Sequence, residues 1–148
     1  MGLPNAGKSS FLNRLVGEEL AIVSPKAQTT WQNMRGFFMK DGMEIVLIDT
    51  PGIQEGTKAL NAAISRNAIR AVGLAKDGHD VVALVVDAID TFKTIQEKKP
   101  NPLLAIVKVL ERDGFKLPLA LPMIVTINKA DLLKRPDDRR QVEALVQE

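Results

Sequence analysis

Gly2-Leu3-Pro4-Asn5-Ala6-Gly7-Lys8-Ser9 runs without interruption into Ser10-Phe11-Leu12-Asn13-Arg14-Leu15-Val16-Gly17. The opening stretch satisfies the phosphate-loop pattern G-x-x-x-x-G-K-[ST], and a chance match in a chain of this length is on the order of half a percent. The residues behind it place Phe11, Leu12, Leu15 and Val16 on one helical face, with Gly17 where a helix stops. A loop that opens a helix is the context this pattern needs. Its glycines let successive N–H groups turn inward around phosphate oxygens, and the helix N-terminus adds its dipole. Lys8 brings a mobile cation and Ser9 a hydroxyl that can ligate magnesium. Gly2, Asn5, Ala6, Gly7, Lys8, Ser9 and Ser10 are therefore the expected phosphate-binding positions.

The 148 residues are one domain's worth, with 45% apolar and 26% charged residues, as in a globular chain that folds around a core. Twenty Lys and Arg against 18 acidic residues leave a net charge of +2, too small to predict nucleic-acid binding from charge alone. Without cysteine there is no disulfide framework, thiolate nucleophile or cysteine-bound zinc. The longest apolar stretches, Val81 to Val86 and Leu117 to Ile127, fall well short of the roughly 20 residues that span a bilayer. No charged segment followed by an apolar one opens the chain, so no signal peptide is expected.

Arg35 to Lys40 and Met43 to Asp49 are apolar-rich and separated only by Asp41-Gly42, a dipeptide that favours a two-residue hairpin turn. They are expected as antiparallel strands. Ile45 to Ile48, Val81 to Val86 and Met123 to Ile127 are continuous apolar runs, the pattern of strands covered on both faces of a parallel sheet. Between them Leu60, Ile64, Ala68, Val72 and Ala75 recur at helical spacing, as do Leu103, Ile106, Val107 and Leu110, and Val142 and Leu145 begin a last helix. Glu18 to Gln32 reads as an irregular loop and Ile89 to Asn101 as a polar connection. The fold class is α/β: a three-layer P-loop NTPase sandwich, its sheet mostly parallel with one antiparallel edge hairpin.

Two further motifs stand at strand ends. Asp49-Thr50-Pro51-Gly52 puts a carboxylate where it can reach a magnesium shell and a glycine N–H where it can meet a terminal phosphate, although alone the run is also a plain turn. Asn128-Lys129-Ala130-Asp131 offers a carboxylate that can accept from guanine's N1 and exocyclic amine, a donor pair adenine lacks. At roughly 1.5 to 3 kcal/mol for each hydrogen bond to a charged group, that discrimination is about two to four decades. The order phosphate loop, DTPG, NKAD is what makes the three elements one site.

With these motifs the chain resembles a translation-factor-class GTPase, specifically the Era family of ribosome-assembly GTPases. The resemblance extends from Gly2 to about Glu148 and is sharpest in Ser24-Pro25-Lys26-Ala27-Gln28-Thr29-Thr30, which is similar to the family's switch I. It implies that Lys8 contacts the β and γ phosphates, that Ser9 and Thr30 hold magnesium with Thr29 as the fallback, and that Asp49 orients a magnesium-bound water. Lys8, Thr30 and Gly52 are then the catalytic group. Asn128 and Asp131 read guanine, with Lys129 lying along the nucleotide. The implied ligands are GTP and GDP with Mg2+, and the implied partner of a full-length protein is small-subunit ribosomal RNA, in the cytoplasm or in a mitochondrial or plastid matrix.

Trp31 stands where the family usually has Arg, either as a half-buried loop aromatic or as a contact to RNA. The strand expected before Gly2, the last guanine loop and the KH-type RNA-binding domain are not in the sequence, so residues 1–148 are expected to form an incomplete Era-type G domain. Ile53 follows Gly52 where Ras-like GTPases carry a water-positioning glutamine, which predicts slow intrinsic hydrolysis. Relatives with this replacement and an asparagine at the Asn5 position recruit potassium, making Asn5 a candidate K+ ligand as well as a loop-capping residue. His79, in Asp77-Gly78-His79-Asp80, reads as a surface turn residue. Two rival readings stay open: a GTP-binding or scaffolding chain that does not hydrolyse, and a Der-like or tRNA-modification GTPase, against which Gln28-Thr29-Thr30 argues.

Overall fold

Asp41 and Gly42 both take positive φ, 52° and 77°, and turn the chain between β1 (Met34–Lys40) and β2 (Met43–Asp49). The strands pair antiparallel from Met34↔Asp49 to Lys40↔Met43, the hairpin the dipeptide predicts. A computed structural model describes residues 1–17, 34–53, 59–75, 79–101, 103–115 and 121–147. The loop expected over Glu18 to Gln32, with Gln28, Thr29, Thr30 and Trp31, lies outside the described residues.

Helix α1 (Lys8–Val16) starts at the last glycine of the phosphate loop and ends on Gly17, whose N–H bonds the Asn13 carbonyl. Of its expected apolar face only Leu12 is fully buried; Phe11, Leu15 and Val16 are half-buried. Helix α2 (Ala59–Gly73) buries Ala68, Ile69 and Val72, and ends before Ala75. Helix α4 (Leu103–Arg112) buries Ile106, Val109 and Leu110. Ala68 and Ile69 of α2 and the three residues of α4 cluster with Leu84 and Val86 of β3 (Val82–Asp87), and Ile53 completes that cluster.

Strand β3 pairs in parallel with β4 (Met123–Asn128), from Val82↔Met123 to Asp87↔Asn128. On its other edge Gly2 makes a parallel bridge to Val85, and the Val85 N–H donates to the Met1 carbonyl at 2.8 Å. The phosphate loop thus leaves directly from a position beside β3. Among the described residues β2 and β3 do not pair, so the sheet is realised as two separate ladders.

Two expectations are corrected. The apolar runs of β2 and β4 are not covered on both faces: Val46 is 50% and Ile124 58% exposed, because the buried faces of α2 and α4 gather over β3. Ile89 to Asn101 is not a polar connection throughout, since Ala88–Gln96 is a helix, α3. Asp87 caps it, accepting from the N–H groups of Ile89 and Asp90 at 2.8 and 3.1 Å. Ile89, Phe92 and Ile95 recur every third residue and pack on a second cluster of Ala88, Leu133 and Val142, the last from α5 (Pro136–Gln147). His79 is an exposed turn residue, as expected. No helix among the described residues is long and apolar enough to cross a membrane.

Candidate functional site

The phosphate loop, the end of β2, the end of β3 and the turn after β4 meet at one end of the two ladders. Two joining bonds come from Asn128, the last residue of β4, and from Lys129, which follows it. Asn128 Nδ2 donates to the Ala6 carbonyl at 2.9 Å, and Lys129 Nζ donates to the Asn5 carbonyl at 2.9 Å. Gly7 (φ 89°) sits directly beneath the Asn128 amide, and a Cβ there would collide with Nδ2. The phosphate-loop glycine therefore serves a side chain more than 100 residues away as well as its own turn.

Asp49 and Thr50, at the end of β2, are 4% and 5% exposed. Ser9 Oγ donates to Asp49 Oδ2 at 2.6 Å, which brings together the two oxygen groups expected around magnesium. Among the described residues no three His, Cys, Asp or Glu side chains gather into a metal cage. A hydroxyl and one carboxylate fit magnesium nonetheless, because that ion keeps several waters and takes its remaining oxygens from substrate phosphates. The Thr50 hydroxyl beside them is buried with no hydrogen-bond partner among the described residues. Gly52 packs on the phosphate loop from the same side: a Cβ there would lie 2.7 Å from Pro4 Cα. Thr30 lies outside the described residues.

Lys8 folds back over its loop, and Nζ donates to the Leu3 carbonyl at 2.8 Å. Burial pushes its pKa down from the usual 10.5 to about 8, partly offset by the Asp49 carboxylate. Ser10 and Asn5 are exposed, Asn5 in a left-handed conformation at φ 60°. Ile53 has no exposed surface, and its N–H bonds the Gly2 carbonyl at 3.0 Å. It is a core residue pinned to the phosphate loop, with no polar group to turn toward a water. Asp131 lies in a single 3-10 turn, Ala130–Leu132, and is exposed.

The sequence reading missed Asp87. Its Oδ2 accepts from Lys129 Nζ at 2.5 Å while Oδ1 caps α3. The signal was there: an acidic residue closing a buried apolar run, in the place Asp49 and Asn128 hold on theirs.

The profile of the 50S ribosome-binding GTPase family matches residues 1–129. GTPase Era of Neisseria meningitidis is 34% identical over 137 residues, covering 88% of this chain and 43% of the relative. Two solved Era structures superpose with a TM-score of 0.75. One, from Aquifex aeolicus and bound to GDP·AlF4−, is 28% identical over 98% of this chain and 44% of its own. The other, in complex with MgGDPNP and nucleotides 1506–1542 of 16S ribosomal RNA, is 30% identical over 99% of this chain and 43% of its own. The chain thus spans less than half the length of these relatives.

Proposed function

We propose that this chain, which belongs to the 50S ribosome-binding GTPase family, forms over residues 1–148 a domain that binds GTP and GDP with magnesium and hydrolyses GTP as a conformational switch. The observation that carries this reading is the pair of bonds from Asn128 and Lys129 to the carbonyls of Ala6 and Asn5. They hold a guanine-reading turn against a phosphate-cradling loop, and one ligand carries both groups: a guanine nucleotide. The Era structures with GDP·AlF4− and MgGDPNP support the same ligand class.

In this reading the loop N–H groups and Lys8 neutralise the phosphates, and the Gly52 N–H faces the terminal one. Ser9 and Thr30 hold magnesium and Asp49 orients one of its waters; the ion draws charge from the β and γ phosphates when bound. The Ile53 side chain offers the attacking water no hydrogen bond, so turnover is slow, and Asn5 would hold a potassium ion that compensates. Loss of the terminal phosphate then changes the conformation of the site, and that change is the signal. In a longer protein the switch serves small-subunit rRNA assembly, as the Era complex with 16S rRNA suggests. Such a role agrees with a cytoplasmic protein or, in a eukaryotic cell, one of the mitochondrial or plastid matrix. The net charge of +2 gives this chain no RNA footprint of its own.

The test is phosphate release from Mg·GTP under single turnover. A slow rate that rises when potassium replaces sodium, loses that response in Asn5→Ala and vanishes in Lys8→Ala supports the reading. GTP binding without release favours a non-hydrolysing binding chain, and equal rates in both salts remove potassium from the account.

A further inference from the structure

Asp87 uses both carboxylate oxygens, and each serves a different element. Oδ1 accepts the N–H groups of Ile89 and Asp90 and so starts α3, while Oδ2 accepts the Lys129 ammonium at 2.5 Å. The same ammonium donates to the Asn5 carbonyl at 2.9 Å. Asp87 is the register partner of Asn128 on the neighbouring strand, and its side chain is 9% exposed against 37% for Lys129. The ammonium is therefore held from its buried side by a carboxylate fixed at the end of a paired strand.

What this clamp joins is telling. Asn5 and Lys129 both adopt φ 60°, a left-handed conformation that residues other than glycine adopt rarely and keep only where their surroundings hold them. Asn5 lies in the loop that cradles phosphate, and Lys129 in the turn that presents Asp131. A single chain of contacts, Asp87 to Lys129 to Asn5, thus ties two constrained turns to one rigid strand end.

We infer that Asp87 is a positioning residue of the nucleotide site: through Lys129 it fixes the guanine-reading turn relative to the phosphate loop, so that base and phosphates of one ligand are met together. This rests on the guanine-nucleotide reading above. The contribution of Asp87 passes through the lysine ammonium it holds. A lysine released from that carboxylate gains rotamer freedom, which ligand binding must then remove.

Two variants separate this role from helix capping, because asparagine and serine both cap as well as aspartate. Asp87→Asn keeps the cap and loses the charge; Asp87→Ser keeps the cap and is too short to hold Lys129. GDP and inorganic tripolyphosphate are titrated calorimetrically into the wild-type chain, both variants, Lys129→Met and the double variant Asp87→Asn/Lys129→Met, with thermal melts alongside. The expected result is a GDP affinity lowered about tenfold in either Asp87 variant, the size of one lost charge-assisted bond. Tripolyphosphate, which carries no base, should move less than twofold, and Asp87→Asn should add nothing once Lys129 is Met. GDP affinity within twofold of wild type, effects that add with those of Lys129→Met, or an equal fall for tripolyphosphate would each overturn the inference. A wild-type chain that takes up no GDP defeats the functional reading instead, and the inference with it.

Discussion

Lys8 carries a charge that burial in the fold disfavours. Its pKa of about 8, against 10.5 for an ordinary lysine, means that between these values the unfolded chain binds more protons than the folded one. Nucleotide-free stability should therefore rise as pH climbs from about 8 to about 10.5, and Lys8→Met should lack that rise in a series of thermal melts. Phosphate restores the proton, so GDP binding at pH 8.5 should take up protons and weaken with further alkalinity. Calorimetry in two buffers of different ionisation enthalpy reads the uptake directly, and a buffer-independent heat would contradict it. Asp131 is exposed, and if it reads the base as proposed, Asp131→Asn should weaken GDP by roughly 2 kcal/mol or more while favouring the xanthosine nucleotide, whose extra carbonyl suits an amide donor. Equal loss of both nucleotides in a competition titration would show that the carboxylate does not read the base. The motif residues stood out in the sequence because their types and spacing match what a nucleotide's groups require. Asp87 was marked only by its place at the end of an apolar run; what it does there follows from partners that the fold alone supplies, a lysine and two N–H groups of the protein itself.

Among the elements, the hairpin was legible from two residues, because Asp41-Gly42 leaves the backbone little other choice between apolar strands. Helix α3 was not, because Lys93, Glu97, Lys98 and Lys99 make the stretch look solvated while Ile89, Phe92 and Ile95 find a partner only once α5 packs across them. Burial of β2 and β4 was overestimated for a related reason: an apolar run shows what a strand can bury, and the helices decide which strand is covered. Ile53 illustrates the same dependence. In the sequence it stands in the place of a water-positioning glutamine; in the fold it is a fully buried member of the cluster formed by α2, β3 and α4. Ile53→Ala should therefore cost about 2 to 5 kcal/mol in chemical denaturation. A loss below about 1 kcal/mol would mean the site collapses around the smaller side chain.

Across the whole molecule, the residues that matter come from stretches far apart in the chain and are gathered by topology alone. Parallel pairing of β3 with β4 sets Asp87 beside Asn128, the Gly2–Val85 bridge sets the phosphate loop against β3, and Ser9 reaches across to Asp49 at the end of β2. Asp49, Asp87 and Asn128 each stand at the C-terminal end of their strand, the end at which open α/β sheets bind ligands. The central claim is that this convergence recognises guanine and phosphate together. Its most direct test is a calorimetric titration of the chain with GDP and with ADP in magnesium buffer at pH 7.5. The account predicts binding of GDP at least about 100-fold tighter than ADP, the two decades that two base hydrogen bonds to a carboxylate supply. Equal affinity for the two nucleotides, or binding of neither, would contradict it.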